Sequence, residues 1–202
     1  MKPQATTFKC GRRILHITIL AMLLLPGLPI LVILWQPPSV TAQGQVRSPL
    51  PVRSSDFSDG GSIPRRFTCD GGGVSPGLQW PVAPAGTKTI AIVVDDPDAP
   101  ADFTHWLAYN IPPDVNELAE GASAQAAMPR GSAEGTNDFG RHGYGGPCPP
   151  AGKPHHYVFR IYALDIRLDL PPAAARIELD SAIKGHIFAE GQIVGVYRRA
   201  SE

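Results

Sequence analysis

The chain predicts a mainly β domain with one or two helices, on three observations. The apolar stretches between turn signals are short and rich in β-branched and aromatic residues, as in Thr87–Asp95 (TKTIAIVVD), Phe103–Ile111 (FTHWLAYNI) and Val158–Leu164. The 202 residues include 21 glycines and 22 prolines without a collagen-like period, which in a strand-rich chain means many turns. Helical periodicity is persuasive in one place, Glu178–His186, where Ile177, Ala182, Ile183 and His186/Ile187 fall near one face.

Taken in order, residues 1–13 carry Lys2, Lys9, Arg12 and Arg13, and Ile14–Trp35 is almost wholly apolar before SVTAQG. That pattern predicts a signal peptide with a cut after Ala42, or a retained N-terminal anchor formed by a separate hydrophobic helix. At about 22 residues the run is long enough to cross a bilayer, with the basic residues inside. Residues 1–42 are therefore assigned to targeting, 43–52 to a linker and 53–202 to the domain, which is placed outside the cytoplasmic membrane.

Within the domain, Arg53–Phe57 reads as an opening strand, Asp59-Gly60-Gly61 as a turn and Phe67–Pro76 as a Gly-rich loop before a short strand at Leu78–Trp80. The unbroken apolar run of Thr87–Asp95 predicts a strand buried on both faces. Phe103–Ile111 alternates imperfectly, with Phe103, His105, Leu107 and Tyr109 on one face and Thr104, Trp106, Ala108 and Asn110 on the other. Gln192–Arg198 closes the domain as a strand.

Formal net charge is zero, and the four basic residues above all precede the first acid, Asp56, leaving the remainder near −4. No basic stripe remains to bind nucleic acid. There is no HExxH or paired-Cys metal spacing, no P-loop, no GxGxxG opening a helix, and no nucleophile elbow is read. No metal and no cofactor are expected.

The chemistry concentrates in Asn137–Tyr157, whose 21 residues hold five glycines, four prolines, three histidines, two tyrosines and Cys148. Neither a helix nor a central strand tolerates that density of Gly and Pro, so this is a long ordered loop forming a wall of a site. Two other groups stand at strand ends: the acidic turn Asp95–Pro100 (DDPDAP), and His105. Two imidazoles, a carboxylate and Gly-rich backbone N–H groups suit an anion such as phosphate. Cys69 and Cys148 both lie in Gly-rich loops, and an exported chain could join them as a disulfide. Cys148 as a nucleophile beside His155 is the open alternative.

DDPDAP, then THWLAYNIP, then GTNDFGRHGYGGPCPPAGKPHHYVFRIYALD, with FTCDG…VSPGLQW and the closing KGHIFAEGQIVGVY, resemble the phosphatidylethanolamine-binding protein (PEBP) family. The likeness runs from Phe57 to Arg198 and is strongest to the bacterial Raf-kinase-inhibitor-like branch (YbhB/YbcL type). It implies a large central antiparallel sheet, a smaller second sheet and peripheral helices. It also implies a non-catalytic protein whose pocket takes a small anion, phosphate or a phosphorylated head group. By position, the resemblance puts Asp96, Asp98, His105, Gly146, Pro149, His155 and Tyr157 in that pocket, with Phe103 at the rim. His105 and His155 would donate to the anion, Asp96 would orient an imidazole, and Asp98 would organise the turn. The Gly146 region would offer backbone N–H, and Tyr157 would close one side. Two other readings of the same residues are a protein-interaction module inhibiting a protease or other enzyme, and a hydrolase using the His/Asp pair.

Overall fold

The computed structural model describes residues 47–123 and 127–200. The apolar run of 14–35, with the signal or anchor helix expected there, lies outside them. Among the described residues no helix is long and apolar enough to cross a membrane.

Four long strands carry the domain: β4 (Thr89–Asp96), β5 (Phe103–Ile111), β8 (His155–Leu164) and β9 (Ile187–Tyr197). Short strands β1 (Ser48–Pro49), β2 (Gly61–Ser62) and β7 (Ala133–Glu134) complete a seven-stranded sheet ordered β1-β9-β8-β4-β5-β7, with β2 also on β9. The long strands pair antiparallel, whereas β1 and β2 join β9 in parallel. A second, two-stranded sheet joins β3 (Leu78–Gln79) to β6 (Glu117–Leu118). The fold is mainly β, with one α-helix among the described residues, α1 (Arg176–Ile183), and a 3₁₀ turn at Arg65–Phe67.

Every residue of β4 is buried, because the sheet has a core on each side. Ile90, Ile92 and Val94 face a cluster with Phe57, Trp106, Tyr157 and Phe159. Ala91 and Val93 face Leu107, Tyr109, Leu179 and Ile183, the last two from α1. A continuous apolar run is what period-two alternation produces when both faces are covered.

Several sequence-based boundaries move. Ser48–Val52, expected as linker, is part of the domain: Ser48–Pro49 pairs with β9, and Leu50 and Val52 are buried in the core. The close approach relies on Gly191, where a Cβ would stand 1.6 Å from the Leu50 carbonyl oxygen. Arg53–Phe57 forms only one bridge, Arg53 to Gln79. The helix begins at Arg176 rather than Glu178, because Glu178 Oε2 accepts the Ala175 N–H at 2.7 Å and Arg176 pairs with Asp180 at 2.8 Å. It stops at Ile183, and Gly185, at φ 85°, turns the chain into β9 well before Gln192.

A disulfide joins Cys69 to Cys148, with Cα atoms 5.4 Å apart across 79 residues of sequence. Closing a loop of that length restricts the unfolded chain by about 4 kcal/mol on the chain-entropy model. A Cys69→Ser/Cys148→Ser double variant should therefore melt well below the parent, and reductant should lower only the parent. Two titratable thiols in the parent unfolded without reductant would contradict the bridge.

Candidate functional site

The site is built where β4 ends. Asp96, its last residue, has a nearly buried carboxylate. One oxygen, Oδ1, accepts the N–H groups of Asp98 at 3.0 Å and Ala99 at 3.2 Å, holding the turn that follows. The other, Oδ2, meets Nδ1 of His155 at 2.8 Å. A carboxylate only accepts, so His155 donates through Nδ1, and its Nε2 has no hydrogen-bond partner among the described residues. Asp96 thus takes the turn-organising role expected of Asp98. Asp98 instead accepts from the backbone N–H and Nδ1 of His156, both at 2.7 Å, in an exposed position outside the pocket. The His156 bonds hold its carboxyl below the usual range.

His105 arrives by a different device. Along β4 and β5, Val94 pairs with Trp106 but Asp95 pairs with Thr104, so His105 is the extra residue of a β-bulge. A bulge interrupts alternation and re-aims the side chain it carries. Thr104 is bonded to Asp95 on the α1 side, whereas His105 lies edge-on to Tyr157, 5.1 Å between ring centroids, on the opposite side. The shared face expected for His105, Leu107 and Tyr109 is therefore corrected by one inserted residue.

The His105 ring is clamped. Its Nδ1 donates to the Gly145 carbonyl at 2.7 Å, and the Gly145 N–H donates back to the His105 carbonyl at 2.8 Å. Burial lowers the pKa of this ring below the ordinary histidine value, although Gly145, Asp96, Asp95 and Asp138 pull the other way. A neutral ring with Nδ1–H presents Nε2 as an acceptor, not as the donor that an anion was expected to meet.

Asp96, His105 and His155 share a pocket of about 200 Å³ with Phe103 and Pro149. Its remaining wall comes from Ala99, Pro100, Phe139, Cys148 and Pro150. No Lys or Arg lines it. Phe139 is the main residue that the sequence did not single out. Its ring packs 4.8 Å from Phe103 and 5.3 Å from His105, and it fits because Gly145 has no Cβ, which would lie 2.5 Å from it. Membership of the Gly-rich loop was its only sequence signal.

Two expected residues lie elsewhere. Gly146 lines an adjacent recess, and a Cβ there would meet the Phe67 carbonyl oxygen at 2.6 Å. Tyr157 is fully buried beneath the pocket, and its hydroxyl has no hydrogen-bond partner among the described residues. Burial first, and then the Asp96 carboxylate, push that hydroxyl well above the usual range, so it stays protonated.

The alternative chemistries find little geometry. Cys148 is in the disulfide and is not a free nucleophile. Gly73–Gly77 (GVSPG) has the letters of a nucleophile elbow, but it lies between the 3₁₀ turn and β3, and Ser75 is buried with Oγ accepting the Ser123 N–H at 3.1 Å. No strand-to-helix turn exposes it. Among the described residues, no group of three or more His, Cys, Asp or Glu side chains could hold a metal.

Comparison with known proteins places this geometry. Residues 53–198 match the family model described as phosphatidylethanolamine-binding protein. A UPF0098 protein of Methanothermobacter thermautotrophicus is 46% identical over 149 residues, covering 73% of this chain and 98% of the relative. The Mycobacterium tuberculosis protein named "Putative lipoprotein LppC" is 39% identical, covering 78% of this chain and 76% of that one. The crystal structure of Escherichia coli YbcL, described as a new member of the mammalian PEBP family, superimposes with a TM-score of 0.71 at 34% identity, over 75% of this chain and 99% of YbcL. With the family model spanning residues 53–198 and the YbcL fold reproduced around the same sheet, this chain belongs to the phosphatidylethanolamine-binding protein family, in the YbcL branch.

Proposed function

We propose that this domain is a non-catalytic binding protein for a small phosphate-type anion, free or as a phosphorylated head group. The observation that carries the reading is the pair of imidazoles lining one pocket, each fixed through Nδ1 (to Asp96 and to the Gly145 carbonyl), which leaves both Nε2 atoms for a ligand. A volume of about 200 Å³ is below the usual range for drug-sized ligands and suits a single acidic group. Asp96 lies behind His155, where it orients the ring rather than meeting the ligand.

The state of His105 refines the ligand class. While its ring is neutral, Nε2 accepts, and an anion that brings its own hydroxyl, such as monohydrogen phosphate or a protonated phosphomonoester, satisfies it. Once the ring is charged, Nε2 donates, and any oxyanion fits. We place the domain outside the cytoplasmic membrane. This rests on the basic, apolar and small-residue order of residues 1–42, the Cys69–Cys148 bridge and the lipoprotein name of the mycobacterial relative.

Ligand-observed NMR with inorganic phosphate, phosphoethanolamine and sulfate tests the binding. Phosphate should bind, and His105→Asn or His155→Ala should weaken it by roughly ten- to a hundredfold, the loss of one charge-assisted bond. Sulfate keeps one charge state, and its affinity should rise as pH falls from 8 to 5.5 while His105 becomes charged. A pH-independent sulfate affinity, or phosphate binding that survives both substitutions, would contradict the assignment.

The same ring sets a stability trend. Unfolded, His105 takes up a proton below about 6.5, whereas burial delays that uptake in the folded domain. In this window the unfolded state binds more protons, so stability falls on acidification. In a buffer without binding anions, the melting temperature of the parent should drop more steeply below pH 6.5 than that of His105→Asn. Parallel curves would show that the folded ring titrates normally.

A further inference from the structure

Beside the His105 pocket, and sharing its Phe139–Cys148 wall, lies a recess of about 360 Å³. The Gly71–Gly73 loop, Gly146 and Tyr144 form much of its lining, and Arg141 is the one charged residue among the residues that line it. Arg141 is exposed and makes no ion pair among the described residues. Its guanidinium sits over the Phe139 ring, 5.3 Å from the centroid, and such stacking pre-places a planar fork suited to oxyanions. The backbone below is also fixed: Asn137, buried, accepts the Arg141 N–H through Oδ1 at 3.2 Å and donates its own N–H to the Arg141 carbonyl at 2.8 Å.

The Gly71–Gly73 loop carries uncommitted backbone donors. The N–H groups of Gly72 and Gly73 have no backbone acceptor among the described residues. Gly73 takes a left-handed φ of 60°, the kind of conformation in which successive N–H groups gather into an anion-binding concavity. The Tyr144 hydroxyl is already committed to the Phe67 carbonyl at 3.0 Å. In a chain whose residues beyond the N-terminal basic cluster are net acidic, an arginine without an ion pair among the described residues shares this recess with the Gly72–Gly73 backbone and with no carboxylate.

We propose that this recess is a second anion subsite, and that the ligand is a small molecule with two acidic groups. It would place one group at His105 and His155 and the other at Arg141 and the Gly72–Gly73 amides, with its spacer crossing Phe139 and the disulfide. The proposal rests on the anion reading of the first pocket for one of its two ends. Linking two weakly held groups through a spacer of matching length raises affinity without a new contact.

The test is a series of alkane-α,ω-bisphosphonates with one to six methylenes, each compared by calorimetry with the alkylphosphonate of the same length. At one spacer length the bisphosphonate should bind about tenfold tighter or more, and should shift the NMR signals of Arg141 Nε–H and the Gly72 and Gly73 amides. Arg141→Gln should remove that gain and leave the alkylphosphonate affinity unchanged. If no length exceeds the roughly twofold statistical advantage, or the gain survives Arg141→Gln, the second subsite is wrong. Normal alkylphosphonate binding with no response at Arg141, Gly72 and Gly73 overturns this subsite alone. A response there without alkylphosphonate binding at the histidines supports the recess and overturns the first pocket's reading instead.

Discussion

The architecture of the site depends on two adjacent aspartates at the end of β4 being sent to opposite faces of the sheet. Asp96 faces the pocket, where it holds both the turn and His155. Asp95 points to the α1 side, where it accepts from Arg160 at 2.8 Å, from Arg176, and from Thr104 at 3.2 Å. Burial pushes the Asp95 carboxyl up while the two guanidinium groups pull it down. A carboxylate in that position without its arginines would cost several kcal/mol. The Arg–Asp–Arg group therefore lets a charged strand end lie inside the fold, and it also ties α1 and β8 to the strand that carries Asp96.

The two imidazoles reach the pocket by unlike routes and are not equivalent. His155 opens β8 and shares a face with Tyr157 by simple alternation, and it is backed by an anion. His105 is delivered by a bulge, and it is backed by a neutral carbonyl within a reciprocal pair of bonds to Gly145. One ring is thereby set beside negative charge, while the other is held back from acquiring positive charge by burial.

Phe139 and the Cys69–Cys148 bridge give the pocket its boundary. The bridge fastens the 69–73 loop to the 146–148 segment, and the Cys69 N–H also donates to the Pro147 carbonyl at 3.0 Å. The wall between the pocket and the Arg141 recess is therefore covalently anchored on one side and aromatic on the other.

The sequence by itself determined the β class, the burial of β4 on both faces, the loop that forms the site wall and most of the residues around it, because hydrophobic period and Gly/Pro density are local properties. It also carried the family through long motifs kept in order. The tertiary structure alone decided where His105 points, because a bulge is a mismatch between two strands and cannot be seen in either one. It alone decided that Phe139 lines the pocket and Gly146 the neighbouring recess, since both depend on which backbone leaves room for a ring. The inclusion of Ser48–Val52 in the domain belongs with these. Leu50 is buried only because Gly191, far along the chain, has no Cβ to keep it away.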